Sequence, residues 1–275
     1  MPELPEIETI RNGLEPVITG QTVTEVNIRQ PQLRYLIPAD LDQTLRGQTI
    51  RNLQRRGKYL LLHVDRGMVL IHLGMSGSLR FVTTDQIPER HDHVDFVLDH
   101  GILRYRDPRR FGVALWHPAS GATHRLLEKL GPEPLGDDFT HSYLSQKGEG
   151  SKRAIKNFIM DSRVVVGVGN IYANEALFLA RIHPLRLTGT LSTQEWKELQ
   201  RNIVAVLHAG IKAGGTTLQD FVDGSGKPGY FQQQLLVYGR DNAPCPNCGE
   251  ILHKQVIGQR SSWVCPRCQR GNVKE

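Results

Sequence analysis

The residues with the most unusual chemical prospects open the chain: Met1-Pro2-Glu3-Leu4-Pro5-Glu6. Proline has no nucleophile in its side chain, but removal of Met1, usual before a small second residue, leaves Pro2 a free secondary amine. An α-amino group titrates near pH ~8, so part of it is neutral at cellular pH. Such an amine can attack an electrophilic sugar carbon and form an iminium, the cyclic counterpart of a lysine Schiff base. Glu3, the next residue, can supply or accept protons. The same six residues would also suit a stiffened terminus with no chemistry, so the remainder of the chain has to decide.

At the far end, four cysteines form two close pairs, Cys245-x2-Cys248 and Cys265-x2-Cys268, with sixteen residues between them. That spacing fits a tetrahedral zinc site on two knuckles joined by a β-hairpin. Four protein ligands leave no position open for water, so the expected role of one Zn2+ is structural. The chain shows neither the basic start nor the apolar run of a signal peptide, which favours a metal site in a reducing compartment over disulfides. His253, Lys254 and Arg260 lie within the hairpin, where they could reach a backbone phosphate; zinc ribbons also mediate protein contacts.

Between these ends, Gly57-Lys58 precedes the apolar run Tyr59 to Leu62 and would fix a lysine at the mouth of a strand. The cations from Arg51 to Lys58 otherwise read as a solvated cluster just ahead of that strand. Two Gly-flanked loops follow, His72-Leu73-Gly74-Met75-Ser76-Gly77 and Asp107-Pro108-Arg109-Arg110-Phe111-Gly112. Met75 and Phe111 could be core residues; at loop tips beside arginines they could instead enter a DNA stack. Gly169-Asn170 opens a helix whose unpaired N–H groups and dipole suit a phosphate.

These side chains need elements to hold them. Leu4, Ile7, Ile10 and Leu14 recur at helical spacing behind Pro5 and early glutamates, and Gly13 or Gly20 would end that helix. From Gln21 to about Trp116 the pattern changes to short β runs at Thr22 to Ile28, Tyr59 to Val64, Met68 to Leu73, Leu79 to Val82, Val94 to Leu98 and Ile102 to Tyr105. Asp65-Arg66-Gly67 and Asp99-His100-Gly101 read as hairpin connectors, giving an antiparallel sandwich or barrel with the first helix packed on it. Helices dominate later, at Lys152 to Met160, Asn170 to Arg181, and from Ser192 to near Gly214. Ser192 and Glu195 have capping-box spacing. Thr216 to Gly229, rich in glycine, reads as a long loop of the functional or surface-connector kind.

The 275 residues allow two domains, and 39% apolar with 23% charged residues is ordinary globular usage. No run approaches a transmembrane length. A net charge of +6 is compatible with a polyanionic partner without establishing one.

Taken together, the opening hexapeptide, Gly57-Lys58, the two loops, Val168-Gly169-Asn170-Ile171-Tyr172-Ala173 and the four-cysteine ribbon resemble the bacterial formamidopyrimidine-DNA glycosylase family over essentially the whole chain. Leu4 and the wedge residues separate it from the sister endonuclease VIII group. The resemblance implies an α+β multidomain protein: an N-terminal antiparallel β-sandwich with flanking helices, a helix-two-turn-helix domain and a C-terminal zinc-finger β-hairpin, with DNA in the cleft between domains. The corresponding ranges are 1–117, a linker over 118–150, 151–235 and 236–275.

By the same resemblance Pro2 is the Schiff-base nucleophile, Glu3 a proton donor, Lys58 a proton donor in β-elimination and Arg260 the residue of δ-elimination. Met75, Arg109 and Phe111 match void-filling and wedge positions, His91, Lys152 and Asn170 match backbone contacts, and Tyr238 lies near the loop that closes on an extruded lesion. The implied protein is a monomeric bacterial glycosylase and lyase acting on oxidised purines in damaged double-stranded DNA, cytoplasmic and nucleoid-associated, with no membrane partner. An endonuclease VIII-like preference for oxidised pyrimidines and a non-catalytic zinc-ribbon DNA-binding protein are the alternatives.

Overall fold

The computed structural model describes residues 2–216 and 235–270. The loop expected over Thr216 to Gly229 lies, beyond its first residue, outside the described residues, as do 271–275 of the unassigned tail. The described residues fall into two compact units, the first within Met1–Glu128 and Ala213–Gln232, the second within Lys129–Lys212 and Gln233–Glu275.

The first unit begins with α1, Leu4–Ile18, whose buried stripe is Leu4, Ile7, Ile10, Leu14 and Ile18. Pro5 sits in its first turn, where a missing N–H costs nothing. The helix runs through Gly13 and stops ahead of Gly20, which takes a φ of 86°. Eight strands follow: β1 (Val23–Ile28), β2 (Ile50–Arg56), β3 (Tyr59–Val64), β4 (Gly67–His72), β5 (Ser78–Val82), β6 (Asp92–Leu98), β7 (Gly101–Arg106) and β8 (Val113–Pro118), with a short helix α2 (Leu41–Leu45) between the first two. They form two four-stranded antiparallel sheets, ordered β1-β6-β7-β5 and β2-β3-β4-β8.

Alternation decides which face of each sheet is apolar. In β3, Leu60, Leu62 and Val64 enter a single buried cluster with Val69 and Ile71 of β4, Val94 and Phe96 of β6, Leu103 of β7, and Ile7, Ile10 and Leu14 of α1. Each such side chain contributes roughly 1.5–3 kcal/mol through burial, and truncating one, as in Leu62→Ala, should cost about 2–5 kcal/mol. The sandwich and both expected hairpin connectors are present. Three elements were not anticipated. β2 is made of Ile50–Arg56, so the cationic cluster is itself a strand, held by Ile50 and Leu53 facing the core. β8 buries fully only Val113 and Ala114 and ends in half-buried Trp116 and His117 and exposed Pro118, so it carries no sustained apolar run, and α2 is too short to show a period.

The second unit contains α3 (His141–Gly148), α4 (Ile155–Ile159), α5 (Asn170–Leu179), a 3-10 turn at Thr188–Thr190, α6 (Thr193–Lys212) and the hairpin β9 (His253–Ile257) with β10 (Arg260–Val264). Thr140 caps α3 by accepting from the Tyr143 N–H at 3.1 Å, a start that the Gly- and Pro-rich surroundings concealed. α4 is shorter than the expected Lys152 to Met160 because Ala154 pairs as a bridge with Leu187. Ser192 and Glu195 close their capping box, the Ser192 N–H donating to the Glu195 carboxylate at 2.7 Å and the Glu195 N–H to Ser192 Oγ at 3.3 Å. α5 lies close against α6, since a Cβ at Gly210 would stand 2.5 Å from the Tyr172 hydroxyl. Among the described residues no helix is long and apolar enough to cross a membrane.

Candidate active site

Pro2 is half-buried immediately ahead of α1, and Glu3, the N-cap, is buried at 2% exposure. The Glu6 carboxylate explains the fixed terminus: one oxygen accepts the Glu3 N–H at 2.8 Å, and the other accepts the Thr216 N–H at 2.9 Å and its hydroxyl at 3.0 Å. A buried acid needs such donors, because an unpaired one would cost several kcal/mol. The helix start that follows Pro2 is therefore anchored by packing and by hydrogen bonds.

Lys58 stands in the two-residue turn between β2 and β3, where Arg56 pairs with Tyr59. Gly57 takes a φ of 57°, the backbone such turns require. Arg55 ties this turn to the helix that follows Pro2: its Nε donates to Glu8 at 2.6 Å and a terminal nitrogen donates to the Gly57 carbonyl at 3.2 Å. Hydrogen bonds from Arg11 and Arg55 outweigh the desolvation of Glu8 and hold its carboxyl below the usual range. On the other side, the Lys58 and Arg34 charges add to burial in pushing the His72 imidazole down to about 4. His72 is thus neutral, and its Nδ1 accepts the Gly74 N–H at 3.0 Å at the start of the Met75 loop.

The two Gly-flanked loops, separate in sequence, meet in space. A Cβ at Gly74, whose φ is 61°, would fall 2.7 Å from the Phe111 carbonyl carbon. Met75 is half-buried, whereas Arg109 and Phe111 are exposed, and the Arg109 guanidinium lies over the Phe111 ring at 4.9 Å. The sequence did not single out Asp107, yet it is wholly buried and its carboxylate accepts from Gly112 N at 2.8 Å and from Arg109 N and Ser76 Oγ, each at 3.3 Å. Its own N–H donates to the His91 carbonyl at 3.1 Å, so His91 joins the same assembly.

In the second unit Asn170 is the first residue of α5, and its amide nitrogen donates to the Ser261 carbonyl at 3.1 Å. Lys156, also not anticipated, is buried and donates to Ser261 O at 2.9 Å and Ser262 Oγ at 2.5 Å. Asn174 accepts the Trp263 N–H at 3.0 Å. These bonds seat the β9–β10 hairpin, whose turn residues Gly258 and Gln259 both have positive φ and present the exposed Arg260. Tyr238 is half-buried with its ring 4.6 Å from that of Trp263. Buried Glu175 accepts three successive N–H groups, of Leu236, Val237 and Tyr238, at 2.8–3.0 Å. Lys152 is exposed. A buried lysine in a short helix or a carboxylate capturing distant N–H groups leaves no periodic trace, which is why Lys156, Asn174 and Glu175 were missed.

The four cysteines converge, with all sulfurs within 4.8 Å of one another. Cys245 and Cys268 have sulfurs 3.9 Å apart, and Cys248 and Cys265 3.5 Å. Four thiolates at about 2.3 Å from one Zn2+ in a tetrahedron stand about 3.8 Å apart, so the donor set and its size fit zinc.

Comparison with known proteins covers 98% of the chain. Family models match as the formamidopyrimidine-DNA glycosylase N-terminal domain over residues 1–114, the H2TH domain of the same proteins over 130–222, and the zinc finger found in FPG and IleRS over 243–271. The formamidopyrimidine-DNA glycosylase of Vibrio parahaemolyticus is 53% identical over 98% of this chain and all of its own length. That of Cellvibrio japonicus is 54% identical with the same coverage. Among solved structures, Lactococcus lactis Fpg bound to abasic-site DNA has a TM-score of 0.91 at 34% identity, covering 98% of this chain and 100% of that one. Thermus thermophilus MutM has a TM-score of 0.88 at 38% identity, covering 98% of each.

Proposed function

Since this chain belongs to the formamidopyrimidine-DNA glycosylase family, we propose that it is a base-excision repair enzyme for oxidised purines in duplex DNA whose Pro2 amine both removes the base and initiates strand cleavage. It acts as a monomer in the cytoplasm, on the nucleoid, with the functional division 1–117, 118–150, 151–235 and 236–275. Related Fpg proteins have been crystallised with damaged DNA, including a Fapy-dG derivative and an oxidised pyrimidine.

The observation that carries the reading is the anchored terminus. Pro2 sits ahead of a helix whose N-cap Glu3 is held by Glu6, and the helix is tied through Glu8 and Arg55 to the turn that presents Lys58. A binding module has no use for a fixed amine beside a buried acid. Attack of the neutral Pro2 nitrogen on C1′ of the damaged nucleotide displaces the base and the nitrogen gives up its proton; Glu3 then protonates O4′ as the C1′–O4′ bond opens, and the nitrogen lone pair closes the C1′ iminium. The resulting iminium acidifies the neighbouring C2′ proton, so the 3′ phosphate departs by β-elimination with Lys58 managing protons, and the 5′ phosphate follows with Arg260 at the phosphate.

The base has to leave the stack before the amine can reach its sugar, which costs a few kcal/mol. Met75 and Phe111 fill the space left behind, and Arg109 offers donors to the orphaned partner base. His91, Lys152 and Asn170 hold backbone phosphates, Tyr238 flanks the lesion loop, and zinc bound by Cys245, Cys248, Cys265 and Cys268 keeps the Arg260 hairpin folded. Excision across a panel of lesion duplexes tests the substrate class. Release of 8-oxoguanine and formamidopyrimidines ahead of oxidised pyrimidines is expected; the reverse order would favour the endonuclease VIII-like alternative, which the oxidised-pyrimidine complex of the Lactococcus protein keeps relevant.

A further inference from the structure

Asp107 collects donors from separate parts of the first unit. Within its own loop it accepts from Arg109 N and Gly112 N, which fixes the turn between them. From the other loop it accepts the Ser76 hydroxyl. The Tyr105 hydroxyl stands 3.3 Å from the second carboxylate oxygen and 3.2 Å from the His72 carbonyl, so it bridges Asp107 to the strand end from which the Met75 loop departs. On its main chain Asp107 donates to the His91 carbonyl and accepts from Arg110 N at 3.1 Å, while His93 Nε2 lies 2.8 Å from its carbonyl. Three donors are directed at the carboxylate's two oxygens, and the single Tyr105 hydroxyl proton is shared between the carboxylate and the His72 carbonyl. No room is spare: a Cβ at Gly112 would stand 1.7 Å from the Tyr105 hydroxyl and 2.5 Å from the His72 carbonyl.

We infer that Asp107, through Ser76, locks the Met75 loop to the Arg109–Phe111 loop so that both enter the duplex as one rigid wedge, making Asp107 and Ser76 positioning residues for base extrusion. The inference rests on the reading of Met75, Arg109 and Phe111 as duplex-entering side chains. Its physical reason is entropic. Two independent loops would each be ordered at the moment of insertion, whereas a block already fixed by a buried carboxylate that accepts from both loops is ordered beforehand. Ser76 is the one side chain of the Met75 loop that reaches this carboxylate among the described hydrogen bonds, so it is where the link can be cut with least disturbance.

The test combines Ser76→Ala, Ser76→Thr and Asp107→Asn with Met75→Ala and Phe111→Ala, read by stopped-flow fluorescence of a 2-aminopurine beside an 8-oxoguanine. Ser76→Ala should fold and keep zinc but slow the insertion transient and base excision about tenfold, which is ~1.4 kcal/mol in the barrier. Cleavage of a preformed abasic site should change less than about twofold, since no base is expelled there. Ser76→Thr keeps the hydroxyl and should restore insertion. In the parent, the Met75→Ala and Phe111→Ala effects should be strongly non-multiplicative; in Ser76→Ala they should multiply independently. Equal coupling in both backgrounds, or an unchanged transient in Ser76→Ala, would overturn the lock even if Asp107→Asn failed to fold. Single Met75→Ala and Phe111→Ala variants that both excise normally would instead refute the wedge itself.

Discussion

Arg55 donates to Glu8 at 2.6 Å across the gap between the second strand and the first helix, and both side chains are largely shielded from water, 11% and 16% exposed. Because Arg55 also holds the Gly57 carbonyl, the pair sets where the Lys58 turn lies relative to the terminus. Arg55→Met should leave Glu8 with Arg11 alone and cost about 2–3 kcal/mol of stability, below the ~3–5 kcal/mol for a fully buried broken pair. Urea unfolding checks this, and strand cleavage at an abasic site should fall more than DNA binding does. A variant with native stability and native cleavage would show the link to be incidental.

His72 makes a pH prediction. Its imidazole titrates near 6.5 in an unfolded chain and is pushed down to about 4 in the folded one. Between those values the unfolded state binds more protons, so stability is complete above about 6.5 and declines as the pH falls toward 4, by up to ~1.4 kcal/mol per pH unit. Protonation also removes the acceptor for Gly74 N–H. The urea midpoint of His72→Asn, compared with the parent at pH 7.5, 6 and 5, should show a shallower acid decline. Parallel declines would assign the effect to other groups.

Zinc analysis should give one ion per chain, lost on changing any of Cys245, Cys248, Cys265 or Cys268 to Ser. With the metal removed, DNA binding should weaken because the hairpin loses its staple. Arg260→Ala should retain zinc and the first elimination while the second slows, giving products that keep the 3′ sugar fragment. Zinc-free native protein that binds DNA normally would contradict the structural role.

Phe111→Ala and Arg109→Ala should fold, keep zinc and lose excision from duplex DNA by an order of magnitude or more, an apolar or stacked contact of ~1–3 kcal/mol being removed from the extruded state. Gel-resolved excision of lesion and abasic duplexes side by side measures it, and equal loss on both substrates would move these residues from extrusion to general binding.

Much of this architecture was legible because it depends on short-range pattern. The helical stripe of Leu4 to Leu14, the short apolar β run of Tyr59 to Val64, the Ser192 and Glu195 box and the cysteine spacing are local signals, and each appears in the structure. What escaped depends on partners far along the chain. Arg51 to Lys58 reads as a solvated cluster because the core contacts of Ile50 and Leu53 are invisible without the neighbouring strand. Asp107 and Lys156 are charged residues whose burial is made possible by donors and acceptors 31 and 105 residues away. A single sequence does not show such closures.

The central claim, a Pro2 amine as nucleophile, is tested most directly by borohydride reduction during reaction with lesion duplex, followed by peptide mapping of the trapped protein–DNA adduct. The adduct should map to Pro2; Pro2→Gly, which keeps a primary amine, should trap less, and residues added before Pro2 should abolish trapping by converting the amine to an amide. An adduct on Lys58, or undiminished trapping with Pro2 blocked, would contradict the account.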